Sequence, residues 1–513
     1  MTPTSRRTGG TPPSLSGVVW TALICACVQG TTDGGAPATD SADASSTMAS
    51  TDGCPGVAST MILDGPGDQR GLWLAPGSGG PVDRHLSFSN SGVAVGEGVS
   101  SSAVGLVDSV VLQMADRDVV RTTRIGEDPR GIVQMRQLGT HAASYVFAGT
   151  FWGQLQLDEA IRIQSGRGGF APSALVYGTS SDGDSSSVRW LTEVAQPDAE
   201  VLGALATSDG YLLGMTYPVP RGLQLNVDVN RVAALVRLDK DGAVQWAQPV
   251  VVGGATSNMS LAYDEVLGKA TVAGTTRSVV DDSGRSVLVR GPSMKPSPAS
   301  AGSTAWVFQF SDEGQIAWSH LITHANNSYA DTAVAVSGDA GGEVALSGSV
   351  SGDGVLAGQA LAADGAQMAS FLVILGHAGT VEHASVLLPS VPYEYRWSEG
   401  LATVDSGLLW LQAEEDAHLW PVEEARPPAP MRLLASRVSV GGDLLCSTSL
   451  MGAFRDGPPA LSTLLLDVSR VVQLDSRVAI LGSSTEIVRF DTDDGQVEHT
   501  FDGWGAWEMM LSP

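Results

Sequence analysis

Positive charge is scarce in this chain: 29 Lys and Arg stand against 55 Asp and Glu, a formal net charge of −26. A nucleic-acid ligand needs a cationic surface that displaces counterions, so that class of partner is excluded. The same balance is wrong for adhesion to an anionic membrane face, and a solvated acidic surface accounts for it. Helical periodicity is almost missing, while 61 glycines and 26 prolines punctuate the chain throughout. Long apolar runs are missing too. After Val18–Val28 nothing approaches the length needed to cross a bilayer. No G-x-S-x-G elbow, H-E-x-x-H helix or phosphate-binding loop is present, and nothing in the sequence calls for a cofactor. Cysteine is limited to Cys25, Cys27, Cys54 and Cys446.

The N-terminus reads as an export signal over residues 1–26. Arg6 and Arg7 supply its charge and VVWTALICACV its apolar stretch. Its end, Ile24-Cys25-Ala26-Cys27, resembles the lipobox of bacterial lipoproteins, which implies lipidation at Cys27 after cleavage; ordinary secretory cleavage is the alternative. Residues 27–53 are Thr, Ser, Ala, Asp and Gly with almost no large apolar side chain. They are expected to form a disordered tether, because too little surface can be buried to offset the ordering entropy. The folded domain is expected over 54–513, exported and either lipid-anchored to the cell envelope or secreted. Cys54 and Cys446 are the pair left in an oxidising compartment. They form either a disulfide or one exposed and one buried thiol.

One phrase returns along the chain. LVRLDKDGAVQW at 235–246 is matched by WVFQFSDEGQIAW at 306–318 and more loosely at 173–190, 370–383, 434–446 and 486–499, with a degenerate copy at 107–122. Aligned on Asp118, Gly183, Gly242, Gly314, Gly379, Gly442 and Gly495, the copies recur about every sixty residues, ample for a four-stranded sheet. Before the glycine, apolar residues alternate as in a half-buried strand, for example Trp306, Phe308 and Phe310. The glycine supplies the positive φ of a hairpin turn. Four residues after it comes a packing slot that holds Trp246, Trp318, His383, Cys446, His499 and Thr122, with Trp190 displaced by a longer turn. The slot explains both histidines without a metal. A fainter strand phrase precedes each hairpin, as in KATVAGTTRS and EVALSGSVSG, and a third lies upstream in SEGLATVDSG.

Four strands per unit give an all-β chain, a β-propeller of seven four-stranded blades following the tether, with six or eight blades as the alternatives. YVFAGTFWGQLQL with its hairpin, and VALSGSVSGDGVLAGQAL with SFLVILGHAGTVEH, resemble the seven-bladed β-propeller (SBBP) repeats of bacterial surface and secreted lipoproteins. The resemblance implies a propeller over most of residues 90–500. VRFDTDDGQVEH also resembles the quinoprotein repeat, but the tryptophan survives in only some copies, which argues against a quinone cofactor.

Chemistry is sparse. Asp239 with Asp241, Asp182 with Asp184, and the Asp491-to-Asp494 tip fall short of a calcium loop's ligand set. His320 and His324 in a strand lie about 13 Å apart, too far to share an ion. Trp152, Tyr393, Tyr395, Trp397 and Trp420 form a candidate loop surface, with blade-edge packing as the other reading. The expectation is a binding or scaffolding module that meets an envelope or extracellular protein or a glycan and touches the membrane only through its lipid, with catalysis left open. The alternative is a carbohydrate-active lyase or hydrolase with carboxylates in the central funnel. Converging carboxylates with perturbed pKa would favour the enzyme, and an axis of small and apolar residues would exclude it.

Overall fold

The computed structural model describes residues 54–512 apart from 77–82, 181–187, 194–197, 220–230, 281–285, 291–294, 299–302, 325–331, 337–341, 363–367, 389–394, 416–430 and 455–465, and gaps of one to three residues elsewhere. Residues 1–53, with Cys27, the signal and the tether, lie outside the described residues, as do Tyr393 and Trp420. The described chain is all β apart from one helical turn at Gly166–Gly169. No described helix is long and apolar enough to cross a membrane.

The strands group in chain order into antiparallel meanders. The first sheet is Gln69–Pro76, Arg84–Asn90, Asp108–Ala115 and Asp118–Ile125; the second is Ile132–His141, Ser144–Trp152, Ser173–Ser180 and Val188–Glu193. The third is Glu200–Thr207, Gly210–Pro218, Arg231–Asp239 and Val244–Gly253, and the fourth Thr256–Asp264, Lys269–Arg277, Ser303–Phe310 and Ile316–His324. Thr332–Val336, Val344–Val350, Ala369–Leu375 and Val381–Leu387 form the fifth; Tyr395–Val404, Gly407–Glu415, Met431–Val438 and Leu444–Phe454 form the sixth. A closing sheet takes Leu466–Leu474, Arg477–Thr492 and Gly495–Leu511 from the C-terminus. Its outer strand is Val57–Leu63 from the N-terminus, paired Val57 to Leu511 and Leu63 to Ala506. The first strands of successive sheets touch in ring order, and those of the closing and first sheets touch each other. The result is a nearly closed, barrel-like ring of propeller type.

Burial follows from this stacking. The middle strands are covered on both faces by neighbouring sheets, so Val344–Val350 and Ala369–Leu375 are buried at every residue. Outer strands meet solvent on one side and alternate, as Val188–Glu193 does. Apolar clusters lie between consecutive sheets. One, containing Leu74, Phe88, Leu112, Leu481 and Met510, joins the first sheet to the closing one.

The recurring slot is a joint between sheets. The rings of Trp190, Trp246, Trp318 and His383 lie against Gly242, Gly314, Gly379 and Gly442, each the turn glycine of the following sheet. Those glycines have φ between +74° and +92°, and any side chain there would collide with the docked ring. Trp246 Nε1 also donates to the Asp312 carbonyl at 2.7 Å. Cys446, in the same slot, is bonded to Cys54 (S–S 1.98 Å, Cα–Cα 5.8 Å), just ahead of the N-terminal strand that completes the ring. In the degenerate first copy the positive φ falls on Asp116, at +52°, two residues before Asp118.

The copy at 486–499 is corrected. It is not a blade hairpin of the other kind, because the outer turn of the closing sheet is where the two chain ends meet. Residues 487–492 pair with 495–500 in a hairpin that leaves the sheet and lies along Met451–Phe454 of the sixth sheet. His499 is therefore not a slot residue; its Nε2 faces Asp64 Oδ2 at 3.1 Å. Insertions within the fourth and fifth sheets cover their predecessors similarly, through Val251 to Arg290 and Thr323 to Val355. Each shields an open sheet edge that would otherwise invite pairing with another chain.

Candidate functional site at the ring axis

The first strand of six sheets carries an extra residue: Leu72, Leu138, Leu202, Ser257, Glu399 and Ser469 are each skipped in the pairing with the second strand. A bulge bends a strand and frees a backbone group from the ladder. At five of these bulges the residue just before the skipped one donates its N–H to a side chain of the preceding sheet. Gly71 donates to Ser483 Oγ (2.8 Å), Gln137 to Ser87 Oγ (2.9 Å), Val201 to Thr150 Oγ1 (2.8 Å) and Ser398 to Ser349 Oγ (3.0 Å). At the fifth, Val468 donates to Glu399 Oε2 at 3.1 Å. A carboxylate thus stands where the other joints use a hydroxyl.

Beside that joint is Asp467, on the innermost strand of the closing sheet. Its side chain is solvent-accessible, and the packed protein around it pushes its carboxyl above the usual aspartate range, opposed by the nearby charge of Arg70. Arg70 stacks on Trp504, its guanidinium carbon 4.2 Å from the ring centroid, and Arg470 stacks on Trp73 at 4.1 Å. Arg136, on the first strand of the second sheet, donates Nη1 to the Val201 carbonyl at 2.9 Å. Burial draws both Arg136 and Arg470 down to about 10. The innermost strands therefore bring together a carboxyl biased toward its protonated form, a second carboxylate one sheet away, and the charge of Arg70 beside the first. This is a set capable of general acid–base chemistry.

Of the residues singled out as a loop surface, Trp152 ends the second strand of the second sheet and is half-buried. Tyr395 and Trp397 lie at the start of the sixth sheet's first strand, paired to Glu415 and Ala413. Strand directions put all three at the same end of the ring, on sheets that are not neighbours. Glu399 lies inside SEGLATVDSG and Asp467 inside LLLDVSRVV; the available signal was a carboxylate within a strand phrase. His320 Nε2 sits 2.7 Å from the Gly379 carbonyl at a sheet joint. Among the described residues no three His, Cys, Asp or Glu side chains gather as a metal site.

No protein-family model matches the sequence, and no curated protein matches it. Among solved structures, the chain is similar to sucrose-6-phosphate hydrolase from Lactobacillus gasseri at 9% identity and TM-score 0.30, with 88% of this chain and 93% of that one covered. A subtype N11 neuraminidase-like protein (flat-faced bat, Peru) is similar at 7% identity and TM-score 0.25, covering 66% and 97%. A leech intramolecular trans-sialidase is similar at 8% identity and TM-score 0.20, covering 87% and 86%. The expectation of a binding or scaffolding module is corrected. In this chain itself, the axis bears Asp467 and Glu399 instead of the small, apolar lining that would exclude an enzyme.

Proposed function

We propose that this chain is a carbohydrate-active enzyme, a glycoside hydrolase working at the axis of a seven-bladed propeller. The observation that carries the reading is Asp467, a carboxyl whose pKa is raised by burial on the innermost strand, one sheet from the carboxylate of Glu399. Two carboxyl groups held in different environments are what glycoside cleavage requires. Asp467, protonated, donates its proton to the glycosidic oxygen as the C–O bond breaks. Glu399 takes a proton from the water that attacks the sugar carbon, or attacks that carbon itself. The blade count is supported by four-stranded sheets with an apolar core between neighbours, the last core spanning the closing and first sheets.

The rest of the reading rests on sequence. The repeats are of SBBP type, the signal at 1–26 ends at a lipidated Cys27, and residues 27–53 tether the ring to the bacterial envelope. The partner is a glycan, with the half-buried Trp152 adding apolar surface for a sugar ring. Reducing-end release from a panel of glycans tests the activity. Asp467→Asn is expected to lower turnover by about 10²–10⁴-fold, with melting temperature unchanged. Absence of turnover on every glycan, or full activity in both Asp467→Asn and Glu399→Gln, overturns the proposal.

A further inference from the structure

Gly71, on the innermost strand of the first sheet, is held from both sides by the closing sheet. Its N–H donates to Ser483 Oγ at 2.8 Å, and its carbonyl accepts from Ser469 Oγ at 2.7 Å. A Cβ there would sit 2.9 Å from Leu481 Cγ, so the glycine lets the two sheets come this close. Asp467 belongs to the same joint: it is paired opposite Ser483 and stands two residues before the skipped Ser469. Arg70, next to Gly71, stands two residues before the skipped Leu72. The two residues therefore occupy the same level of neighbouring innermost strands. Arg70 also reaches over the closing sheet, where its guanidinium carbon lies 4.2 Å from the ring centroid of the half-buried Trp504. Trp504 is paired opposite Thr485, two residues along the strand from Ser483, and its N–H donates to Asp68 Oδ1 at 3.4 Å. Other charges on the elements packed against this strand are engaged elsewhere. Glu399 accepts the Val468 N–H, Arg396 donates Nε to Gln412 at 2.6 Å, Arg470 lies on Trp73 at 4.1 Å, and Arg477 faces Asp116 at 3.9 Å. Arg70 is the charge that acts on Asp467, where it opposes the effect of the packed protein.

We propose that Arg70 is the positioning residue of the Asp467 site: held on Trp504, its charge keeps the carboxyl in place and sets the upper pH limit of the site. The use made of the Asp467 proton rests on the glycosidase reading; the coupling of the two side chains does not. A general acid must hold its proton before cleavage and release it in the transition state. Burial favours retention, and an adjacent cation favours release. Without Arg70 the effect of burial stands unopposed, so Asp467 keeps its proton to higher pH. Lysine at position 70 retains a charge but not the flat guanidinium that stacks on the indole, so it restores part of the effect. Trp504→Leu leaves the arginine without its platform and acts in the same direction as loss of the arginine, less strongly.

The test is an NMR titration of the full chain labelled at the aspartate carboxyls, with the Asp467 resonance identified by its loss in Asp467→Asn. The expected result is an Asp467 midpoint that moves to higher pH in Arg70→Gln, moves less far in Trp504→Leu, and returns toward wild type in Arg70→Lys. Melting curves identify any variant that misfolds. An unmoved or lowered midpoint in folded Arg70→Gln overturns the inference, as do equal midpoints in Arg70→Gln and Arg70→Lys. If Arg70→Gln does not fold, an unmoved midpoint in Trp504→Leu overturns it and a raised one supports it. A raised midpoint in Arg70→Gln without turnover of any glycan supports the inference while refuting the glycosidase reading. Glycan turnover that needs Asp467, with the midpoint and the alkaline limb unmoved in Arg70→Gln, does the reverse.

Discussion

Removing the bond between Cys54 and Cys446 should loosen the ring at one place. The cysteines are 392 residues apart in sequence, and the bond sits just before the N-terminal strand Val57–Leu63 that completes the closing sheet. The chain-entropy relation for a loop of that length gives about 6 kcal/mol, and removal of native disulfides costs about 2–5 kcal/mol in practice. Cys54→Ser with Cys446→Ser is therefore expected to destabilise the protein by about 2–5 kcal/mol in guanidinium unfolding. The loss should also be local. Hydrogen exchange at Val57–Leu63, and at its partners Ala506–Leu511, should rise well before exchange at the doubly covered strand Lys269–Arg277. Reduction of the wild type should reproduce the variant. An unchanged denaturation midpoint with full protection of 57–63 would refute the reasoning, because the terminal strand would then hold the ring closed without its staple.

Other outcomes follow from single residues. His85 is 1% exposed, neither ring nitrogen has a hydrogen-bond partner, and burial lowers its pKa to about 4 from 6.5. The unfolded chain then binds the extra proton between those values, so stability is full above about 6.5 and falls as pH drops toward 4, by about 3 kcal/mol in all. A pH series of denaturant midpoints should show this slope, and His85→Phe should flatten it. Gly274 faces Trp306 across the pairing, where an added Cβ would sit 2.6 Å from the ring. Trp306 Nε1 donates to Thr276 Oγ1 at 2.8 Å, so the ring is held in place. Gly274→Ala is expected to cost roughly 1–3 kcal/mol of thermal stability, and a neutral result would show the ring is free to move.

The sequence exposed the architecture where local chemistry repeats and hid it where the ring depends on distant partners. Gly242, Gly314 and Gly379 announced their hairpins because a turn glycine between alternating apolar runs has few other uses. The role of Trp246 needed the fold, since it packs on the next sheet's turn and not on its own. VASTMIL at 57–63 is an ordinary strand phrase, and nothing local says that its neighbour lies at 506–511. EIVRFDTDDGQVEH misled for a related reason: a hairpin tip looks the same whether it closes a sheet or leaves one. Asp467 and Glu399 were illegible because their meaning lies in adjacency across two sheets. Glu399 stands out only once serine and threonine are seen at the equivalent joints.

The catalytic assignment of Asp467 is tested most directly by the pH dependence of glycan turnover in wild type, Asp467→Asn and Glu399→Gln. A general acid raised by burial must stay protonated to work, so wild-type activity should fall as pH rises through its pKa. In Asp467→Asn that alkaline limb should vanish along with most of the rate, while Glu399→Gln should lose rate and keep the alkaline limb. Persistence of the alkaline limb at wild-type rate in Asp467→Asn would contradict the assignment.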